Sequence, residues 1–389
     1  MKLAIITTHP IQYYAPVFKL LAKREKVAVK VFYTWGKGAL NKFDPGFEKV
    51  IKWDIPLLEG YDYEWMANSS KNPGSHKFSG IVNPDLIDRI NGWNADAILV
   101  FGWAYQAHLK AIRYFHGRRP VFFRGDSTLL DEKGYIRSFI KKTFLSWVYR
   151  HIDHAFYVGS LNHAYFNSYG LADKQLSFAP HAVDNERFAV QNTGAVEALR
   201  KNLGLGENDV LILFAGKLEE KKAPEELLKA FLLLENRSWI HLLFVGNGRL
   251  EEHLKRLAAG EPNIHFLDFQ NQSKMPAIYQ ACDLFCLPSN GPGETWGLAV
   301  NEAMACGKAV LVSDKAGCFA DLVIDNNNGK VFESGNEKQL VQYLKELTGS
   351  RAGLSILGAN SVNRIRSWNF TAMAEAIEEK LTCLRKNDD

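Results

Sequence analysis

Residues 210–231 read "VLILFAGKLEEKKAPEELLKAF": an unbroken apolar run, a glycine, a charged loop and then a helical pattern. A short apolar run closed by a glycine reads as a strand buried on both faces, as strands of parallel sheets are. Gly216 allows the tight turn that follows, and Pro224 opens the helix, because its fixed φ belongs in a first helical turn. Lys217 and Lys222 therefore stand at a strand exit beside a helix N-terminus. Phosphate is attracted to such a place by the cations and by unpaired backbone N–H groups. The alternative for both lysines is an ordinary solvated surface position.

The same pattern repeats in both directions along the chain. In the first half "KLAIITT", "KVAVKVFY", "AILVFG", "PVFFRG", "HAFYVGS" and "LSFAPH" alternate with longer helical stretches. The second half restarts with "VLILFAG", "WIHLLFVG", "IHFLDF", "LFCLPS", "KAVLVSD" and "GKVFES". Strands alternating with helices predict an α/β chain with parallel sheets. A polar stretch at about 189–209, carrying Gly194, Gly204 and Gly206, reads as the connection between two halves. The expected architecture is two Rossmann-like domains, residues 1–188 and 189–367, facing a deep cleft where residues just after each strand collect.

Several strand ends carry candidates. "FVGNGRL" contains a Gly-x-Gly that reads as a plain turn, and "IHFLDFQNQ" ends in Phe269 and Gln270. After "LFCLPS" the chain passes through "NGPG" to "ETWGLAVNE", residues 294–302. A helix is predicted from Leu298 to Ala305, ending before Gly307 as its cap. Glu294 then lies in the loop and Glu302 in the helix. Two carboxylates at this spacing invite comparison with the paired acids of glycoside hydrolysis. They equally read as two hydrogen-bond acceptors, or as acids favouring a helix start.

Composition excludes some classes. With 389 residues and 47% apolar content the chain holds enough core for two domains. A net charge of +4 on 47 basic and 43 acidic residues does not suggest a nucleic-acid partner. The five cysteines lack zinc-site spacing and read as reduced and intracellular. "MKLAIITTHP" is too short in its apolar part for a secretory leader, and no run is long enough to span a bilayer. A cytoplasmic protein is expected. Residues 133–152, "KGYIRSFIKKTFLSWVYRHI", hold five Lys or Arg and no acid. With Ile136, Ile140, Phe144 and Trp147 or Val148 at helical spacing, the segment admits two readings. It is a helix lying on an anionic inner membrane face, or one whose apolar stripe packs in the core while its lysines are solvated.

In order along the second half, "FAGKLEEKKAPEELLKAF", "YQACDLFCLPSNGPGETWGLAVNEAMACGKAVLVSDKAG", "DNNNGKVFESGN" and "RSWNFTAMA" resemble the retaining GT-B glycosyltransferases of family 4, the glycosyl transferases group 1. The first half resembles the family more loosely. In "LSFAPHAVDNERF" Pro180, Val183, Asp184 and Phe188 keep its pattern, while His181 and Ala182 stand where the family has Asn and Gly. Where many members have a Gly-Gly loop after the first strand, this chain has "THPIQYYAP". His9, Gln12 and Tyr13 fill that loop with side chains, for phosphate or acceptor contacts, unless Pro10 and Pro16 simply shape it.

The resemblance implies a nucleotide-diphosphate sugar as donor on the second domain and an acceptor, a glycan, lipid-linked glycan or glycolipid of cell-surface polysaccharide synthesis, on the first. It implies that the last helix, from about residue 368 to 389, returns to the first domain. Lys217 and Lys222 would offset charge on the departing diphosphate together with the N–H groups near Gly297 and Leu298, so no metal is expected. Glu302 would accept from the ribose hydroxyls and Glu294 from the donor sugar, with Phe269 and Gln270 beside the base. The leaving phosphate would take the acceptor's proton. Asp126, after "PVFFRG", stands where the family often has a His or Asp close to the reacting carbon; its alternative is a helix N-cap. His108 is a weaker candidate, read as a packed or surface histidine.

Two other classes share these features. One is a sugar-nucleotide epimerase or phosphorylase on the same scaffold, since fold does not fix function. The other is a nucleotide-sugar or glycan-binding module without catalysis.

Overall fold

The computed structural model describes the chain apart from Lys42, Pro45, 132–134 and 387–389, and gives only backbone for 41, 135–139, 385 and 386. Strands run, in chain order, as β1 (Lys2–Thr7), β2 (Ala28–Tyr33), a short pair β3 (Phe43–Asp44) and β4 (Lys49–Val50), then β5 (Asp62–Trp65), β6 (Ala97–Phe101), β7 (Val121–Arg124), β8 (His154–Tyr157) and β9 (Leu176–Phe178). The second series is β10 (Val210–Ala215), β11 (Ile240–Val245), β12 (Ile264–Leu267), β13 (Leu284–Leu287), β14 (Ala309–Ser313) and β15 (Gly329–Phe332). The chain forms two compact units, one from Met1–Lys42, Ile55–His181 and Phe370–Asp389, the other from Phe43–Asp54 and Ala182–Asn369. The sequence placed the division at 188/189 and assigned 43–54 to the first domain; the structure divides the chain at 181/182 and gives 43–54 to the second unit.

In the first unit the strand order is β5-β2-β1-β6-β7-β8-β9, with every pairing parallel. Leu3, Ala4, Ile5 and Ile6 are all fully buried, as both covered faces of such a strand require. β5, "DYEW", is an addition to the sequence reading: it lies on the sheet edge beside β2, its Tyr63 and Trp65 rings packing on Tyr33. The helix Phe370–Lys386 belongs to this unit, where the buried Glu378 accepts from Arg24 and Lys26, each at 2.7 Å. Burial opposes ionisation of Glu378, but the two cations outweigh it and hold its carboxyl below the usual carboxylate range.

The helix Tyr135–Tyr149 corrects the expected stripe. The residues that enter the core are Leu145, Val148 and Tyr149, followed by Ile152 beyond the helix end. Ile140 and Phe144 are 65% and 41% exposed, and Lys141 and Lys142 beside them are exposed as well. Ile136 lies outside the residues whose side chains are described. The core face is set by the three-and-four spacing from Leu145 to Ile152, which turns the earlier apolar positions outward.

The second unit has the order β12-β11-β10-β13-β14-β15, again all parallel. The stretch read as a polar connection between the halves lies inside the second unit and contains the helix Thr193–Asn202. The helix is held by its polar side chains: Arg200 donates to Ala281 O at 2.8 Å, to Asp283 at 3.2 Å and to the backbone of Asp209 at 2.6 Å. A helix without a buried apolar residue gives little hydrophobic signal in a sequence. Among the described residues no helix is long and apolar enough to cross a membrane.

Candidate functional site

β10 and β13 are neighbours in the second sheet although two strands separate them in the chain, and β10 has β11 on its other side. The chain connections diverge between β10 and β13, and beyond the carboxyl ends of two such strands a parallel sheet leaves room for a ligand. The predicted residues fall at these exits. Gly216 and Lys217 follow β10, and Lys222 closes the turn Glu220–Lys222 before the helix Pro224–Leu232. Glu294 lies in the loop after β13, and Leu298 opens the helix Leu298–Ala305 that carries Glu302.

The two exits are tied together. The Asn290 N–H donates to Lys221 O at 3.0 Å, and the Lys222 ammonium lies against Glu294 Oε2. Ser289 Oγ donates to that same oxygen at 3.3 Å. A buried carboxylate is tolerated only with such partners. Glu302 is 4% exposed, and the buried Tyr279 hydroxyl donates to its Oε2 at 2.8 Å. Both glutamates are therefore fixed as hydrogen-bond acceptors. The backbone of the loop that carries Glu294 is fixed too: the Gly317 N–H donates to Glu294 O at 3.1 Å and the Cys318 N–H to Trp296 O at 2.9 Å. A Cβ at position 317 would stand 2.0 Å from Thr295 O, so this approach requires glycine.

Gly246 and Gly248 do more than turn the chain: they have a packing role. A Cβ on Gly246 would meet Gly216 O at 2.0 Å, and one on Gly248 would meet Leu218 O at 2.6 Å. The loops after β10 and β11 thus lie backbone against backbone, which sets the position of Lys217.

Lys217 itself is engaged by a residue that sequence reasoning missed. Asp44 pairs with its ammonium at 2.8 and 3.1 Å, and Asp44 Oδ1 accepts from the Gly46 and Phe47 N–H groups at 2.8 and 3.2 Å. Burial pushes the Asp44 carboxyl up, but Lys217 and those two amides outweigh it and hold it below the ordinary value. Residues 46–54 continue as a strap across the second unit. The ring of Phe47 packs on Phe269 at 4.9 Å and that of Trp53 at 6.2 Å. Lys49 pairs with Asp268 at 3.1 Å, and Asn271 donates to Lys52 O at 2.7 Å. Phe269 donates its N–H to Asn247, and Gln270 donates to Asp268 O at 3.0 Å. Of the two residues expected beside the base, Phe269 thus carries a pair of aromatic neighbours.

In the first unit Asp126 follows β7 in a loop, and no helix starts there, so the N-cap alternative falls. Its Oδ2 stands 3.8 Å from His181 Nε2. His108 is a satisfied core histidine, its Nε2 2.8 Å from Thr34 Oγ1 and its Nδ1 2.8 Å from Gly102 O; burial drives its pKa down to about 4. His9 packs edge-on against Trp35 with its Nδ1 2.8 Å from Thr8 Oγ1. Gln12 is half-buried in the same loop, and Pro16 sits in the first turn of the helix Ala15–Lys23.

Residues 195–361 match the family described as glycosyl transferases group 1. The chain is 26% identical over 313 residues to the GDP-mannose-dependent monoacylated alpha-(1-6)-phosphatidylinositol monomannoside mannosyltransferase of Corynebacterium glutamicum, covering 78% of each. It is 28% identical over 221 residues to the D-inositol 3-phosphate glycosyltransferase 2 of Catenulispora acidiphila, 54% of this chain and 50% of that protein, so it spans about half the length of that relative. Among solved structures, Anabaena HepE in complex with UDP and glucose superposes with a TM-score of 0.71 at 18% identity, covering 98% of this chain and 100% of the other.

Proposed function

We propose that the chain, whose residues 195–361 match the glycosyl transferases group 1, is a GT-B glycosyltransferase that moves a hexosyl group, with retention, from a nucleoside-diphosphate sugar to a hydroxyl of a glycan or lipid-linked glycan. The observation that carries this reading is the joined pair of strand exits after β10 and β13. Two lysines follow the first, and two fixed carboxylates follow the second. The lysines offset charge on the departing diphosphate, aided by the N–H groups at Gly297 and Leu298, and we assign that task to them rather than to a metal. Glu302 accepts from the ribose and Glu294 from the transferred sugar, while Phe269 and Gln270 flank the base. Glu294 already accepts from Lys222 and Ser289, which favours a holding role over acid catalysis. The leaving phosphate oxygen takes the acceptor's proton, and Asp126 orients the acceptor hydroxyl.

The acceptor side is read as a membrane-face process in cell-surface glycan synthesis. Ile140 and Phe144 stand exposed beside Lys141 and Lys142, a combination that favours an anionic bilayer surface. The mannosyltransferase relative is named for a phosphatidylinositol-linked acceptor, which agrees with this reading.

The test is a panel of UDP-, GDP- and ADP-sugars, scored by thermal stabilisation and by release of the nucleoside diphosphate. One nucleotide should raise the melting temperature, because a ligand that binds only the native state stabilises it. If no nucleotide binds, the reading fails. An epimerase would convert the sugar with no acceptor present, and a binding module would bind without turnover.

A further inference from the structure

A second polar cluster lies at the carboxyl ends of β7 and β9, within the first unit. Arg124, the last residue of β7, is 1% exposed, and its guanidinium donates to Ala179 O at 2.7 Å and to Pro180 O at 3.0 Å. Those bonds fasten the turn after β9. The next residue, His181, is buried at 4% exposure with its Nε2 toward Asp126, 3.8 Å away. The ring of Tyr14 lies parallel to the imidazole, at 3° between planes and 6.0 Å between centroids. Tyr14 ends the loop "THPIQYY" and immediately precedes the helix Ala15–Lys23.

Asp126 needs help to be useful. Its side chain is 42% exposed on a loop, and a carboxylate must be held in one geometry to meet a hydroxyl. His181 has no such freedom, because its backbone is anchored through Arg124 and its ring is covered by Tyr14. A fixed imidazole 3.8 Å from a partly exposed carboxylate can set the orientation of the carboxylate, and such contacts often tighten only when substrate binds.

We propose that His181 is a positioning residue that holds the Asp126 carboxylate toward the acceptor hydroxyl, with Tyr14 of the "THPIQYY" loop laid on the ring to keep it in place. This rests on the acceptor-side role given to Asp126 above. The charged and titratable groups facing His181 are Asp126, Arg124 and Tyr14. Burial lowers the pKa of His181, Arg124 adds to that and Asp126 opposes it, so the ring is neutral at neutral pH.

The experiment compares Asp126→Asn, His181→Asn and His181→Gln with the wild type, in two measurements. Release of the nucleoside diphosphate from GDP-mannose and from UDP-glucose, with water taking the sugar as the acceptor hydroxyl, gives kcat and donor KM, and NMR of ring-labelled histidine gives the His181 midpoint without any substrate. His181→Asn should lower kcat about ten- to a hundredfold at unchanged donor KM. His181→Gln, whose amide nitrogen reaches the place of Nε2, should recover most of that loss. The His181 midpoint should fall further in Asp126→Asn. A wild-type kcat in His181→Asn while Asp126→Asn is impaired overturns this inference alone, as does a midpoint that ignores Asp126→Asn. Equal impairment of the Asn and Gln variants with equally lowered melting temperatures also overturns it, since that is the mark of packing. Full turnover in Asp126→Asn would instead sink the parent role of Asp126. If the wild type turns over neither donor, the donor is another sugar nucleotide or the parent reading is at fault, and the ring titration decides the pairing by itself.

Discussion

Tyr279 holds Glu302 from within the protein: its hydroxyl donates to Oε2 at 2.8 Å, and both residues are buried. Tyr279→Phe removes one neutral donor to a charged acceptor and should weaken binding of UDP or GDP about tenfold, or about 1.4 kcal/mol. Titration calorimetry of the variant reads this directly. Glu302→Ala should abolish measurable binding of the same nucleotide, and an unaltered Kd in both variants would remove Glu302 from the ribose site.

Lys222 is expected to serve both chemistry and stability. Lys222→Ala should cut turnover at least about a hundredfold. Because it leaves Glu294 buried without its cation, it should also lower stability by about 1–3 kcal/mol. The pair Lys222→Ala with Glu294→Gln should regain much of the stability and none of the turnover, which urea unfolding and donor turnover separate.

If Lys217 meets the donor phosphate as proposed, Asp44, which already pairs with it, competes for its ammonium. Asp44→Asn should tighten UDP or GDP binding about two- to fivefold while changing stability by less than about 1 kcal/mol, as partly exposed ion pairs do. Lowering the pH should mimic the variant only well into the acid range, because the Asp44 carboxyl is held below its ordinary value. A weaker Kd in Asp44→Asn would mean that the strap assists binding.

Stability should fall on mild acidification. Burial drives His108 and His154 each down to about 4, with Lys380 adding to the effect at His154. Unfolded histidines take up protons near pH 6.5. Below that value the unfolded state binds the extra protons, so the contribution is complete above about pH 6.5 and is lost toward about pH 4, at about 1.4 kcal/mol per unit for each ring. Urea unfolding between about pH 7 and pH 5 measures the slope, and His154→Gln should reduce it.

The exposed pair Ile140 and Phe144 predicts a surface property. Replacing both by Asp should reduce sedimentation with anionic vesicles about tenfold or more, with the wild-type binding itself weakened by salt. Unchanged binding would show that this face does not meet lipid.

Much of this was legible in the sequence because it is local. Every quoted apolar run became a parallel strand, and Gly216, Pro224 and Leu298 sit at the turns and helix starts their chemistry suggested. What escaped depended on partners far along the chain. Asp44 meets Lys217 across 173 positions and Lys49 meets Asp268 across 219, and a strap without an apolar run has no period to reveal it. His181 was visible as a departure from the family pattern, but its meaning required Arg124 and Tyr14 to be seen around it. The helix Tyr135–Tyr149 misled because a stripe of large apolar residues fits either side of it until the core is known.

The division of the chain into 1–42, 55–181 and 370–389 against 43–54 and 182–369 constrains the order of events on the ribosome. N-terminal domains commonly fold first during synthesis. Here the first unit is missing Phe370–Lys386, and with it the partner of Arg24 and Lys26, until the whole second unit has emerged. The strap, by contrast, is made early and must wait for Lys217 and Phe269. Neither unit can be completed from one uninterrupted stretch, so cutting the gene at the 181/182 boundary should give two fragments that each lack an essential piece of packing.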